Sequence, residues 1–194
     1  MKQLVFTGLA SAALSLVACG GGFSLGGVRQ ATVPYEAHPA AVDPIEVAAK
    51  PCKFGDVARC IDQCEAGTAA SCNALGVVFE YGRNTPPDPT IASGFYARAC
   101  DREYAPGCTN LAWLYTLGRG VPRDSQQALL LFTRAFDQSR LACRRGDGHG
   151  CLIAGELLLQ GRVTTADENE ELAMFQAACD EGEPRGCEYV SALR

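Results

Sequence analysis

Ten of the eleven cysteines stand at 52, 60, 64, 72, 100, 108, 143, 151, 179 and 187. Taken in order they form five pairs, and each pair is C-x7-C: Cys52-Cys60, Cys64-Cys72, Cys100-Cys108, Cys143-Cys151 and Cys179-Cys187. One spacing used five times marks each pair as a unit. Four pairs carry a glycine three residues after the first cysteine, at Gly55, Gly67, Gly146 and Gly182, and only Glu103 departs from this. A glycine at that offset lets a helix end in the left-handed conformation. The first cysteine is therefore expected in the last turn of one helix and the second at the start of the next. Two antiparallel helices joined this way bring their ends to about 5.5 Å between Cα atoms, which a disulfide spans.

A longer period lies above the pairs. The first cysteines at 64, 100, 143 and 179 are 36, 43 and 36 residues apart. A period near 34–40 with two helices in each unit is the signature of an α-solenoid. Overlaying the segments on their second cysteines puts small residues four positions on, at Gly76, Ala112 and Gly155. Val78, Leu114 and Leu157 follow six positions on, and Phe79, Tyr115 and Leu158 seven on. A Gly-Arg pair then ends each first helix, at Gly82-Arg83, Gly118-Arg119 and Gly161-Arg162. The second helices bring Phe95/Tyr96, Leu131/Phe132 and Met174/Phe175 to the core, with Asp88, Asp124 and Asp167 as N-caps. The interval of 43 exceeds 36 by the segment Phe136–Ala142. Two extra helical turns would move the next repeat by about 10 Å, so a kink or looped-out turn is expected near 137–140.

The run Leu111-Ala112-x-Leu114-Tyr115-x-x-Gly118-x-Gly120-Val121, followed by Ala128 and Ala135, resembles the Sel1-like repeat (SLR), a relative of the tetratricopeptide repeat. The flanking C-x7-C is similar to its cysteine-rich branch, the Helicobacter cysteine-rich protein family. The resemblance covers roughly residues 52–194. It implies an all-α, right-handed α-α superhelix of about three and a half helix-turn-helix repeats with a concave face, each disulfide linking the second helix of one repeat to the first of the next. The units run about 52–72, 72–108, 108–151 and 151–187, with 187–194 as a C-terminal cap. The first unit is truncated and reads as an N-terminal cap. Residues 84–90 replace the loop usual in the family with a proline-rich one.

Residues 1–18 read as a lipoprotein signal peptide. Lys2 precedes an apolar run from Leu4 to Ala18 that is shorter than the ~20 residues needed to span a bilayer. Leu16-Val17-Ala18-Cys19 resembles the lipobox of bacterial lipoproteins, which implies an acylated Cys19 anchored in a lipid bilayer, with Gly20 next to it pointing to the outer membrane. Without Cys19 the cysteines are even in number. Residues 19–50, rich in glycine and then proline, read as a tether, and 51–194 as the repeat domain. Gly22-Phe23-Ser24-Leu25-Gly26 matches the nucleophile-elbow pattern, but its place beside the lipid anchor lacks the strand, helix and histidine such an elbow needs.

Export makes disulfides the expected state of the ten cysteines. Zinc sites stay open as alternatives, one from Cys143, Asp147, His149 and Cys151, another from Cys52, Cys60, Cys64 and Cys72. No C-x-x-C occurs. The net charge of −5 with no dense basic patch excludes nucleic acid as a partner. No cofactor, metal or catalytic set is expected. The expected role is a membrane-anchored, extracytoplasmic, monomeric scaffold that binds an envelope protein, a peptide or cell-wall material. Tyr81, Arg83, Trp113, Tyr115, Arg119 and Arg162 are the candidate binding face, since aromatic residues and arginine dominate binding hot spots. The cysteine-rich branch also implies penicillin binding with weak β-lactamase-type activity as the alternative. The three lysines, Lys2, Lys50 and Lys53, follow no S-x-x-K pattern.

Overall fold

The first backbone N–H groups of a helix have no partner within it, so an acceptor side chain just ahead of a run of helix formers sets where the helix starts. Asp88 accepts from the N–H groups of Thr90 and Ile91, Asp124 from those of Gln126 and Gln127, Asp56 from Arg59 and Asp147 from His149. The computed structural model describes Cys52, residues 56–164 and residues 169–193. The described residues form eight helices: α1 (Val57–Glu65), α2 (Ala69–Tyr81), α3 (Pro89–Asp101), α4 (Ala105–Leu117), α5 (Ser125–Cys143), α6 (Gly148–Leu159), α7 (Glu170–Asp180) and α8 (Pro184–Leu193), of which these aspartates cap α1, α3, α5 and α6. There is no strand among the described residues. Gly55 and Asp167 lie outside them, as do residues 1–51 with Cys19 and Ser24.

The chain is a stack of antiparallel helix pairs, α2/α3, α4/α5 and α6/α7, with α1 before and α8 after. Gly82 and Gly118 close α2 and α4 with φ of 68°, and Gly161 follows α6 with φ of 61°. Close approach inside α2/α3 and α6/α7 rests on a glycine under an aromatic ring. A Cβ at Gly76 would sit 2.3 Å from the Tyr96 ring, and one at Gly155 would sit 2.7 Å from the Phe175 ring. Tyr96, Phe132 and Phe175 are all buried.

At the joints, all five cysteine pairs are disulfide-bonded as neighbours, with Cα–Cα separations of 4.5–5.0 Å. Each such bond stabilises by roughly 2–4 kcal/mol by restricting the unfolded chain. The residue three after the first cysteine is left-handed at every described joint: Gly67 (φ 98°), Gly146 (83°), Gly182 (85°) and, without the help of glycine, Glu103 (60°). A second device, not drawn from the sequence above, accompanies the disulfide. An alanine precedes the first cysteine and a glycine the second at Ala99/Gly107, Ala142/Gly150 and Ala178/Gly186. A Cβ on any of these glycines would come within 2.5–2.7 Å of the facing alanine Cβ. At the Cys64-Cys72 joint Gln63 and Ser71 hold these places, and the Ser71 hydroxyl donates to Gln63 Oε1 at 2.8 Å.

The expected break near 137–140 does not occur. Helix α5 runs unbroken from Ser125 to Cys143 through the extra segment. Its buried residues Ala128, Phe132, Ala135, Phe136 and Ser139 recur at helical spacing, so the insertion prolongs one apolar stripe. Phe136 packs in the cluster that holds Cys100, Ala105 and Cys108, and Gln138 Oε1 lies 3.4 Å from Cys108 Sγ. The two added turns thus cover the preceding joint.

Candidate binding surface

Successive first helices lie parallel. Near their starts, Asn110 Nδ2 on α4 donates to Asn73 Oδ1 on α2 at 2.9 Å, with both residues buried. Beyond their ends, the Gly-Arg turn of one repeat reaches back to the first helix of the repeat before. The stack therefore has a joint edge, where the disulfides sit, and a turn edge, where first helices end and second helices begin.

Two of the candidate arginines stitch repeats together along the turn edge. Arg119 NH1 lies 3.1 Å from Glu80 Oε1 on α2, and the Tyr96 hydroxyl donates to Glu80 Oε2 at 2.8 Å. Burial, then the neighbouring carboxylate, pushes the Tyr96 hydroxyl far above its ordinary range, so it stays a donor at any working pH. The Arg162 guanidinium lies 4.2 Å from the centre of the Trp113 ring and 5.4 Å from that of Phe132. Arg119 meets the residue eight after the second cysteine of its neighbour, whereas Arg162 meets the residue five after.

Trp113 does not belong to an exposed face. It is only 8 % exposed, packs edge-on against Phe132 with ring centres 5.6 Å apart, and is roofed by Arg162. The reason is that α4 is apolar on nearly every side, so its tryptophan faces the next helix rather than solvent. Tyr115 is half-buried between two core clusters. Tyr81 and Arg83 remain exposed.

Tyr81, a member of the candidate face, is joined along the turn edge by five exposed aliphatic side chains outside that set. Tyr81, Leu117 and Leu159 end α2, α4 and α6, and Ile91, Leu129 and Leu130 lie in the first two turns of α3 and α5. All six are between 38 % and 62 % exposed, and all belong to the turn edge. The signal was present in the sequence, where Tyr81 and Leu117 each stand directly before a Gly-Arg pair and Leu159 stands two residues before the third.

The joint edge carries different chemistry. The ten cysteines are bonded in pairs, so they offer no thiolates to a metal at either of the two sites considered above. His149 sits between Asp147, Glu183 and Arg185, with Nδ1 3.9 Å from Glu183 Oε2 and with Nε2 buried and lacking a hydrogen-bond partner. Burial lowers its pKa against the pull of Asp147 and Glu183. Tyr104, at the start of α4, is pushed up to about 12 by burial and by the Asp147 carboxylate. On α8, Arg185 NH2 pairs with the buried Glu156 Oε1, to which the Tyr189 hydroxyl also donates. Burial raises the Glu156 pKa, and Arg185 partly offsets it.

Residues 69–104 and 105–139 each match the Sel1 repeat family model. The first match spans α2 and α3, and the second spans α4 and α5 as far as Ser139, four residues short of the end of α5. This is a Sel1-like repeat protein. Among solved structures it is similar to a Sel1 repeat protein from Oxalobacter formigenes, with 21% identity over 64% of this chain and 49% of that one at a TM-score of 0.46. It is also similar to a protective antigen present in uropathogenic Escherichia coli strains displaying an SLR fold, with 17% identity over 71% of this chain and 36% of that one at a TM-score of 0.39. The chain spans about half of the first structure's length and about a third of the second's. No curated protein matches it. Five disulfides place this Sel1-like repeat protein in an oxidising compartment, and no helix among the described residues is long and apolar enough to cross a membrane.

Proposed function

We propose that this Sel1-like repeat protein is a monomeric, lipid-anchored, extracytoplasmic scaffold that binds a protein or peptide along its turn edge. The observation that supports this reading is the row of six partly exposed large apolar residues, Tyr81, Ile91, Leu117, Leu129, Leu130 and Leu159, gathered at one edge of the stack. Exposed large apolar side chains concentrated on one side of a domain suit an interaction site. Arginines 83 and 123 flank the row and would add polar contacts around an apolar centre, the arrangement common at interfaces. Anchoring rests on Leu16-Val17-Ala18-Cys19, with the outer membrane as its expected site and residues 19–50 as the tether.

A photo-crosslinking residue placed at Leu117 or Leu130 in the exporting cell tests the surface, with Leu141 on the joint side as reference. One discrete adduct from the turn-edge positions and none from Leu141 supports the reading. Adducts only from Leu141, or none from any position, would refute it. Labelled fatty acid should enter the chain and be lost in Cys19→Ala.

A further inference from the structure

Reactivity of a disulfide toward an outside thiol depends first on whether a sulfur can be reached. Cys60, Cys64, Cys72, Cys108 and Cys151 are fully buried, and Cys52 and Cys100 nearly so. Cys143 is partly exposed, but its partner Cys151, which would have to leave as a thiolate, is fully buried, and burial disfavours that charge. Only at the joint between α7 and α8 are both half-cystines, Cys179 and Cys187, partly exposed. We propose that Cys179-Cys187 is a thiol-disulfide exchange site, the one joint of this scaffold that a dithiol reductant opens while the other four stay shut.

The fold gives the exchange a direction. Cys179 lies in the last turn of α7, where the helix dipole disfavours a thiolate. Cys187 lies in the first turn of α8, where the dipole favours one. The lower-pKa sulfur is the better leaving group. The reductant's thiolate therefore attacks Cys179 Sγ, the S–S bond breaks, and the electron pair leaves on Cys187 Sγ, which takes a proton from solvent. The reductant's second thiol attacks its own sulfur in the mixed disulfide and frees Cys179. One cystine becomes two thiols as one dithiol becomes a disulfide.

The surroundings select the reductant by charge. Asp180, Glu181, Glu183 and Glu188 lie within four residues of the two sulfurs, against Arg185 alone. A reductant with a positive surface is favoured over an anionic one, and salt weakens the preference. After reduction α8 is still held by Tyr189 stacked on Phe175 with ring centres 4.3 Å apart, by Val190 and by Arg185 on Glu156. The joint is thus loosened without unfolding the stack.

The oxidised full chain treated with increasing dithiothreitol, then alkylated, digested and analysed by mass spectrometry, tests the order. The expected result is modification of Cys179 and Cys187 at doses that leave the other eight paired cysteines at least tenfold less modified. With monothiols, the adduct should reside on Cys179, and cysteamine should react several-fold faster than 3-mercaptopropionate at low salt, with the gap closing at high salt. Another pair opening first, or all five opening together, would overturn the proposal.

Discussion

Glu103 is the one left-handed joint residue that is not glycine, and replacing it isolates what that conformation is worth. An ordinary side chain in the left-handed region costs about 1–2 kcal/mol. Glycine also widens the unfolded ensemble, which takes back about 0.4–1 kcal/mol. Glu103 is exposed, so its side chain buries nothing that would be lost. Glu103→Gly is therefore expected to stabilise the protein by about 0.5–1 kcal/mol, or roughly 2–4 °C in Tm for a domain of this size. The opposite exchange has a clean site at Gly67, where φ is 98° and a Cβ would meet nothing within 4 Å. Gly67→Ala should lose a similar amount through backbone conformation alone. Urea unfolding of the oxidised proteins, followed by circular dichroism at 222 nm, gives both values from the midpoints. An unchanged or lowered midpoint for Glu103→Gly, together with a neutral Gly67→Ala, would refute the claim that the left-handed backbone sets the cost of a side chain at the joints.

Three further outcomes follow from the packing. Gly150→Ala puts a methyl 2.7 Å from the Ala142 Cβ, so it should destabilise by about 1–3 kcal/mol. Adding Ala142→Gly should restore part of that in the same urea assay. Phe136→Ala, inside the supposed insertion, should lose about 3–5 kcal/mol, whereas a looped-out segment would tolerate it. Burial lowers the His149 pKa below the ordinary histidine value of about 6.5, so below that pH the unfolded chain binds a proton that the folded one refuses. Its stability contribution is complete above about pH 6.5 and is lost as pH falls through the folded-state value. His149→Gln should show a smaller loss of unfolding free energy between pH 7 and pH 5 than the parent, and an equal loss would contradict the placement of His149.

The joints were legible because two local requirements coincide there. A cysteine spacing and a left-handed residue each say where one helix stops and the next begins, and five copies leave little freedom in pairing. The kink expected in α5 does not form because the local apolar pattern outweighs the repeat period: Phe132, Phe136, Ser139 and Cys143 keep one helical stripe through the extra segment. Trp113 was misplaced for a different reason. A helix packed on several sides has no polar face in its sequence, so nothing local says which apolar residue meets solvent. Whether Arg162 lies over that ring or points outward is decided by the next repeat. The exposed row at Tyr81, Leu117 and Leu159 became visible only when the turn edge existed as a surface.

The account stands or falls on neighbour pairing at the joints. Non-reducing peptide mass spectrometry of the oxidised full chain measures it directly. Cleavage at basic and acidic residues separates every two consecutive cysteines from Cys52 to Cys187, with Asp62 and Glu65 dividing the closely spaced 60, 64 and 72. The stapled stack predicts peptides joined as 52–60, 64–72, 100–108, 143–151 and 179–187. A crossed pair such as 60–64, or free thiols at any joint, would contradict it.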